Sequence, residues 1–348
     1  MNRQITRWAL LASLLLAPNW IATGAKAQPT TDARDYEGAG SAPNNTFWVH
    51  NYLRHQTTTQ KRNLTTNLAI FRAGYLLKFG KLAFVPFEAV LPVVDADLKW
   101  YQSTTPNANP MLPPTTSFGT RRTATSGPGA GSIRQTGFSD LQFFPSLIYT
   151  HTEDEATRTH TYFGATFYTY IPIGTYSSNN APLNIGENRW SLKPQIMVGQ
   201  RFAKIFTVDA VANMVAYTDN KKFHPVTALP VGKLSQKSSF NAELHLAADI
   251  HPTMYVAASY YLSALGERTY SAAVPAGLPA PTAAAIGGAL AATHINAESA
   301  TVHTMRFSFG IHIEKQSLLL LQYQQDLSVG GDESNTRFAG IRFTHFIF

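Results

Sequence analysis

A chain of 348 residues with no cysteine has neither a disulfide framework nor a thiolate metal site or thiol nucleophile. Its formal charge of +7 does not signal a nucleic-acid partner, because Arg3, Arg7 and Lys26 supply three of those charges from an opening segment with no acidic residue. Beyond that opening no run of 18 apolar residues occurs, which excludes helical membrane spans.

Arg3 and Arg7, the apolar run from Ala9 to Ala17, and Ala25-Lys26-Ala27 before Gln28 give residues 1–27 the form of a cleaved secretory leader. A membrane anchor would need about 20 apolar residues, and Pro18 and Asn19 interrupt the run. Residues 28–45 are polar and are expected to be a periplasmic lead-in. Stability of an exported chain without cysteine must come from a closed hydrogen-bonded scaffold, either a soluble β protein or a membrane β-barrel.

Twelve strands are predicted from Thr46 onward, at about 46–54, 65–79, 82–95, 136–151, 159–173, 188–202, 205–217, 238–251, 253–264, 301–314, 317–328 and 336–348. Leu192, Pro194, Ile196, Val198 and Phe202 alternate with Ser191, Lys193, Gln195, Gly199 and Arg201, and only Gln200 breaks the apolar set. Val208, Ala210, Ala212 and Met214 alternate with Thr207, Asp209 and Asn213, and Phe240, Leu244 and Leu246 with Asn241, Glu243 and His245. Met305, Phe307, Phe309, Ile311 and Ile313 alternate with Thr304, Arg306, Ser308, Gly310, His312 and Glu314. Successive side chains of an extended chain point to opposite faces, so each of these strands has one oily and one wet face.

The connections decide between the two β architectures. Short links at 80–81, 152–158, 203–204, 251–252 and 315–316 alternate with longer ones at 55–64, 96–135, 174–187, 218–237, 265–300 and 329–335. An up-and-down barrel of even strand number has tight periplasmic turns and longer external loops, whereas Greek-key links of a sandwich fall at irregular intervals. The prediction is therefore an all-β protein, a twelve-stranded antiparallel transmembrane barrel over residues 46–348 in the outer membrane. The long loops at 96–135 and 265–300 are expected either to lack fixed structure or to fold in as a plug or lid. The chain ends on Phe348, preceded by Phe346, Phe343 and Phe338, and a bulge near Thr344 would reconcile their two phases.

Two segments carry a family resemblance. Phe138-Ser139-Asp140-Leu141-Gln142-Phe143-Phe144-Pro145 resembles a strand entry of the MetA-pathway phenol-degradation family of outer-membrane proteins, with Phe138-Ser139 standing where that family commonly has glycine. Tyr170-Ile171-Pro172-Ile173-Gly174-Thr175-Tyr176, followed by Leu183-Asn184-Ile185-Gly186-Glu187-Asn188-Arg189-Trp190-Ser191, is similar to a second stretch of it. The resemblance implies an outer-membrane barrel associated with the catabolism of phenol-like aromatics, a transporter or channel, and it brings no catalytic residue. Pro172, Gly174 and Gly186 suit a strand leaving the sheet and a turn with positive φ, and Trp190 suits an interfacial aromatic belt.

No cofactor or enzyme motif accompanies this pattern: H-E-x-x-H, G-x-S-x-G and Gly-rich phosphate loops are lacking. Eleven histidines are present, but His245 and His312 lie on wet faces, where solvated lumen residues are the ordinary reading and a metal site is not required. Ser308 and His312 share a face about 13 Å apart along a strand, too far for a nucleophile and its base. The wet phase instead mixes signs, with Lys193, Arg201 and Arg306 against Glu88, Asp209, Glu243 and Asp249, and it holds Tyr162, Tyr168, Tyr170, Tyr255 and Tyr261. Arg306, Glu243 and Tyr261, with His245 and Lys193, are the candidate lumen site. The partners are outer-membrane lipid and small, aromatic or hydrophobic solutes; the alternative is a structural or adhesive barrel acting through its loops.

Overall fold

The computed structural model describes residues 43–59, 63–100, 120–124, 131–154, 159–178, 183–224, 230–277, 299–314, 316–329 and 335–347, with two isolated positions between 277 and 299. The expected leader, nearly all of the lead-in and Phe348 lie outside the described residues.

The wall begins with β1 (Thr46–Thr59), β2 (Asn63–Phe79) and β3 (Leu82–Trp100), followed by the short β4 (Thr120–Ala124). The fourth spanning unit comes in three pieces, β5 (Gly131–Phe138), β6 (Leu141–Phe143) and β7 (Ser146–Asp154). Next come β8 (Thr159–Ile171), β9 (Ser191–Phe202) and β10 (Phe206–Tyr217), then the small β11 (Asn220–Phe223) and β12 (Gly232–Gln236). β13 (Ser239–His251), β14 (Met254–Leu265), the small β15 (Arg268–Ser271), β16 (Ala300–Glu314), β17 (Ser317–Val329) and β18 (Asn335–Ile347) complete the chain. Each spanning unit pairs antiparallel with its sequence neighbour, and β1 pairs with β18 from Phe47↔Ile347 to Thr59↔Asn335. The result is a closed barrel of 12 strands, a form in which no backbone edge is left unpaired in a lipid environment.

Burial is inverted relative to a soluble protein. Lys193, Gln195, Asp209, Asn213, Glu243, His245, Arg306 and Arg342 are buried, while Leu192, Ile196, Val198, Phe240, Leu244, Phe307 and Ile341 are exposed. Only a surrounding apolar phase stabilises that arrangement, so the predicted oily faces form an external belt and the wet faces line a lumen. Gln200 interrupts the belt near the short-turn end, where it accepts a hydrogen bond from Thr161 Oγ1 of the neighbouring strand at 2.6 Å. Phe307→Arg is expected to abolish the heat-modifiable band on gels, because a midplane arginine on the lipid face costs about 2–4 kcal/mol. Ser263→Arg, whose side chain faces the lumen cavity, is expected to assemble as the parent does.

Five expectations change. β1 and β2 leave only residues 60–62 between them, and β17 and β18 only 330–334, so these two links are not long loops. Thr57, Thr58 and Thr59 are β-branched and continue the ladder against Arg337, Thr336 and Asn335. No bulge occurs near Thr344: β18 keeps an unbroken register with both β1 and β17, so Phe338 and Phe346 face inward with Arg342 and Thr344 while Ile341 faces out. Residues 183–186 do not extend outward; Leu183 and Ile185 are buried, Leu183 against Ala96 of β3. Gly174 and Gly186 have no positive φ, and that conformation falls on Asn188 instead, at φ 53°. Parts of the two predicted loops at 218–237 and 265–300 form a small sheet of order β11-β12-β15, and β4 and β5 extend the wall from the 96–135 segment.

Candidate functional site

The two ends of the lumen differ in chemistry. Toward the short turns, Trp48, Leu76, Val85, Ile148, Tyr162 and Met197 belong to one almost wholly buried apolar cluster, with Phe346 packed on it. Tyr255, Ala257, Leu318 and Leu320 form another cluster on the opposite wall. The aromatic rings reach this position by lying across glycines of the adjacent strand. Trp48 is paired with Gly74, where an added side-chain carbon would stand 2.5 Å from the indole. Tyr162 lies over Gly199 and Tyr255 over Gly310 in the same way. Trp48 also donates through Nε1 to Glu88 Oε1 at 3.2 Å, Arg72 pairs with the same carboxylate, and Tyr162 donates to Asp209. These contacts make a packed floor.

Above the floor, toward the long loops, lies a cavity of about 520 Å³ whose lining includes Lys193, Glu243, Tyr261 and Arg306. Glu243 and Tyr261 are direct ladder partners on β13 and β14, and Arg306 of β16 is opposite Ser259, two residues along from Tyr261. The Arg306 guanidinium lies 4.7 Å from the Tyr261 ring centre and donates to Gln324 Oε1 through Nε at 3.0 Å and Nη2 at 2.7 Å. It also faces Phe338 at 5.3 Å, whose other contact is the Arg54 guanidinium at 3.9 Å. Lys193 Nζ stands 4.7 Å from the Tyr168 ring centre. Cations resting on aromatic faces keep part of their stabilisation when water is excluded, about 2 kcal/mol where desolvated.

His245 is buried below the cavity lining. Its Nδ1 shares a hydrogen bond with Ser259 Oγ at 2.8 Å and its ring meets Tyr261 edge-on at 5.5 Å. Its Nε2 lies 3.3 Å from Glu243 Oε2 without hydrogen-bond geometry. The structure thus brings Arg306, Glu243, Tyr261 and Lys193 to one cavity and puts His245 behind it. Of the five predicted tyrosines, Tyr162 and Tyr255 lie in the floor, Tyr170 and Tyr261 line the cavity, and Tyr168 packs with Val90 and Phe144. Among the described residues no group of three or more His, Asp or Glu side chains is arranged to hold a metal ion.

The mouth of the cavity is shaped by the segment between β8 and β9, and Asp140 fixes it there. Asp140 lies between β5 and β6, and its carboxylate accepts the backbone N–H of Gly174 at 3.0 Å and of Glu187 at 2.8 Å. A side-chain carbon on Gly174 would stand 2.7 Å from Asp140 Oδ1 and 2.8 Å from the Gly186 Cα, so both glycines serve close approach. The Thr175 N–H donates to Phe138 O at 2.8 Å, and the Gly186 N–H donates to Thr175 O at 3.0 Å. Arg189 donates to Glu187 Oε2 at 2.8 Å and to Gln236 Oε1 at 2.7 Å, and lies 4.4 Å from the Tyr217 ring centre. Sequence reasoning missed Asp140 and Arg189 as site residues, although both sit inside the two segments that carry the family resemblance.

The fold is shared with a solved outer-membrane protein. An outer membrane channel from Pseudomonas putida F1 is 19% identical, with a TM-score of 0.67 over 91% of this chain and 100% of that one. The transport unit of the autotransporter AIDA-I from Escherichia coli is 9% identical, with a TM-score of 0.45 over 90% of this chain and 96% of that one. No curated protein sequence matches the chain. The family described as "Putative MetA-pathway of phenol degradation" matches residues 54–331, and the chain belongs to that family.

Proposed function

We propose that the barrel is a channel that passes small aromatic or hydrophobic compounds across the outer membrane. The observation that carries this reading is the cavity on the long-loop side, where tyrosines, mixed fixed charge and buried polar groups meet in about 520 Å³. A phenol-like solute needs a flat apolar partner for its ring and a polar partner for its hydroxyl, and this lining supplies both. Membership of a phenol-degradation family supports the same solute class, and the Pseudomonas putida F1 relative is itself an outer membrane channel. Neutral phenol crosses lipid unaided, so the informative solute is a charged aromatic. Proteoliposomes containing the barrel are expected to take up benzoate at pH 7 faster than protein-free liposomes. Equal rates would overturn the reading.

A second reading draws on the floor. Side chains packed across the lumen suit a structural or adhesive barrel whose outer loops do the work, and under that reading the cavity is a vestibule with no exit. Under the channel reading the floor must open, and Trp48, Tyr162 and Tyr255 are the rings that would have to move.

A further inference from the structure

The cavity wall carries polar atoms for which the described residues supply no partner. The ladder sets Gln142 of β6 opposite Tyr170 of β8, Tyr170 opposite Ser191 of β9, and Ser191 opposite Tyr217 of β10. All four line the cavity in one lateral row, and Arg189, two residues before Ser191, lies over the Tyr217 ring at its end. Among the described residues Gln142 Oε1, Tyr170 OH and Arg189 Nη1 have no hydrogen-bond partner, although Gln142 is 4% exposed and Arg189 6%. Buried polar groups are nearly always paired, so three neighbouring exceptions on one cavity wall point to a ligand.

Their chemistry specifies what that ligand presents. Gln142 Oε1 only accepts, Tyr170 OH donates or accepts, and Arg189 Nη1 donates from a cation whose other nitrogens are held by Glu187 and Gln236. A phenolic hydroxyl satisfies the first two at once, by donating to Gln142 and accepting from Tyr170. A carboxylate satisfies Arg189. Tyr170 and Tyr217 are two strand spacings apart, roughly 10 Å, which separates a hydroxyl site from a carboxylate site by about the reach of a para-substituted ring. We propose that this row is a recognition subsite for small aromatic acids bearing a ring hydroxyl. The proposal deepens the channel reading by naming its solute class, and rests on that reading for the ligand's route.

The test is equilibrium binding of 4-hydroxybenzoate, benzoate and phenol to the full-length barrel in detergent, by calorimetry. The parent is expected to bind 4-hydroxybenzoate roughly tenfold or more tightly than benzoate, which lacks the hydroxyl, and than phenol, which lacks the charge. Gln142→Leu is expected to remove the advantage over benzoate, and Arg189→Gln the advantage over phenol. Equal binding or no binding of the three probes by the parent, or an unchanged ranking in a variant that assembles, would overturn the subsite. The ranking by the parent needs no variant, so an Arg189→Gln barrel that fails to assemble does not rescue the proposal. Influx of 4-hydroxybenzoate into proteoliposomes separates the two ideas. The predicted ranking without influx sinks the channel reading and keeps the subsite, whereas influx without the ranking does the reverse.

Discussion

Trp48→Ala is expected to raise the single-channel conductance of the barrel while leaving it assembled. The indole is the largest ring of the packed floor, laid across Gly74 and held by Glu88. Its removal opens the cluster that contains Leu76 and Val85 and against which Phe346 packs. A tryptophan truncated in a packed core costs about 3–5 kcal/mol. The closed ladder around it keeps the barrel intact, because no strand pairing depends on the indole. A twelve-stranded bore is wider than an eight-stranded one, whose interior side chains alone can fill, so a missing ring in this layer leaves a path for ions. The check is planar-bilayer recording of a protein that still shifts its gel mobility on heating. Unchanged conductance would move the constriction elsewhere and favour the reading in which the lumen has no exit.

The second large effect concerns the charges above that floor, and its two arms have opposite signs. Arg306→Ala removes a buried cation from the cavity lining and is expected to shift reversal potentials toward cation selectivity. Glu243→Ala removes a buried anion from the same lining and is expected to shift them toward anions. Charges in a narrow lumen act through a medium of lower effective dielectric than water, so one elementary charge outweighs its value on an exposed surface. Arg306 also holds Gln324 and caps Tyr261 and Phe338. Its loss is therefore expected to lower thermal stability more than Glu243→Ala does. Shifts of the same sign in both variants would show that packing, and not fixed charge, sets selectivity.

Why the barrel was legible follows from its inversion. The strand around Arg306 and Phe307 reads as alternating wet and oily residues whether the oil meets a core or a lipid, and only the rhythm of short and long links chose between them. That rhythm was partly misread at both ends of the chain: His55 to Thr59 and Asn335 are polar enough to resemble loop, yet His55 to Thr59 pair with Asn335 to Ala339 and continue the wall. With no apolar residue between His55 and Thr59, alternation of oily and wet faces leaves nothing to detect there. The last strand failed for a related reason. Phe338 and Phe346 look like lipid-facing residues, but they belong to the lumen layers, one between two guanidiniums and the other on the floor.

The site was legible only in part. Arg306, Glu243, Tyr261 and Lys193 could be placed together because period-two alternation fixes their face and strand order fixes their neighbours. Asp140 could not, since its role depends on Gly174 and Glu187 returning to it from the far side of β8, a contact with no local pattern. Arg189 was hidden by its neighbour Trp190, which is exposed and reads as a belt residue while the arginine turns inward. The two family segments were recognisable separately. Their meeting at Asp140 is what makes them one structural unit.

A channel requires that the lumen conducts. Purified, heat-modifiable protein reconstituted in a planar bilayer measures this most directly, with 4-hydroxybenzoate added on the long-loop side. Resolved conductance steps are expected, and the aromatic acid is expected to reduce them in a concentration-dependent manner, because the solute occupies the cavity through which the ions pass. Assembled protein that gives no steps in either the parent or the Trp48→Ala form would contradict the channel reading.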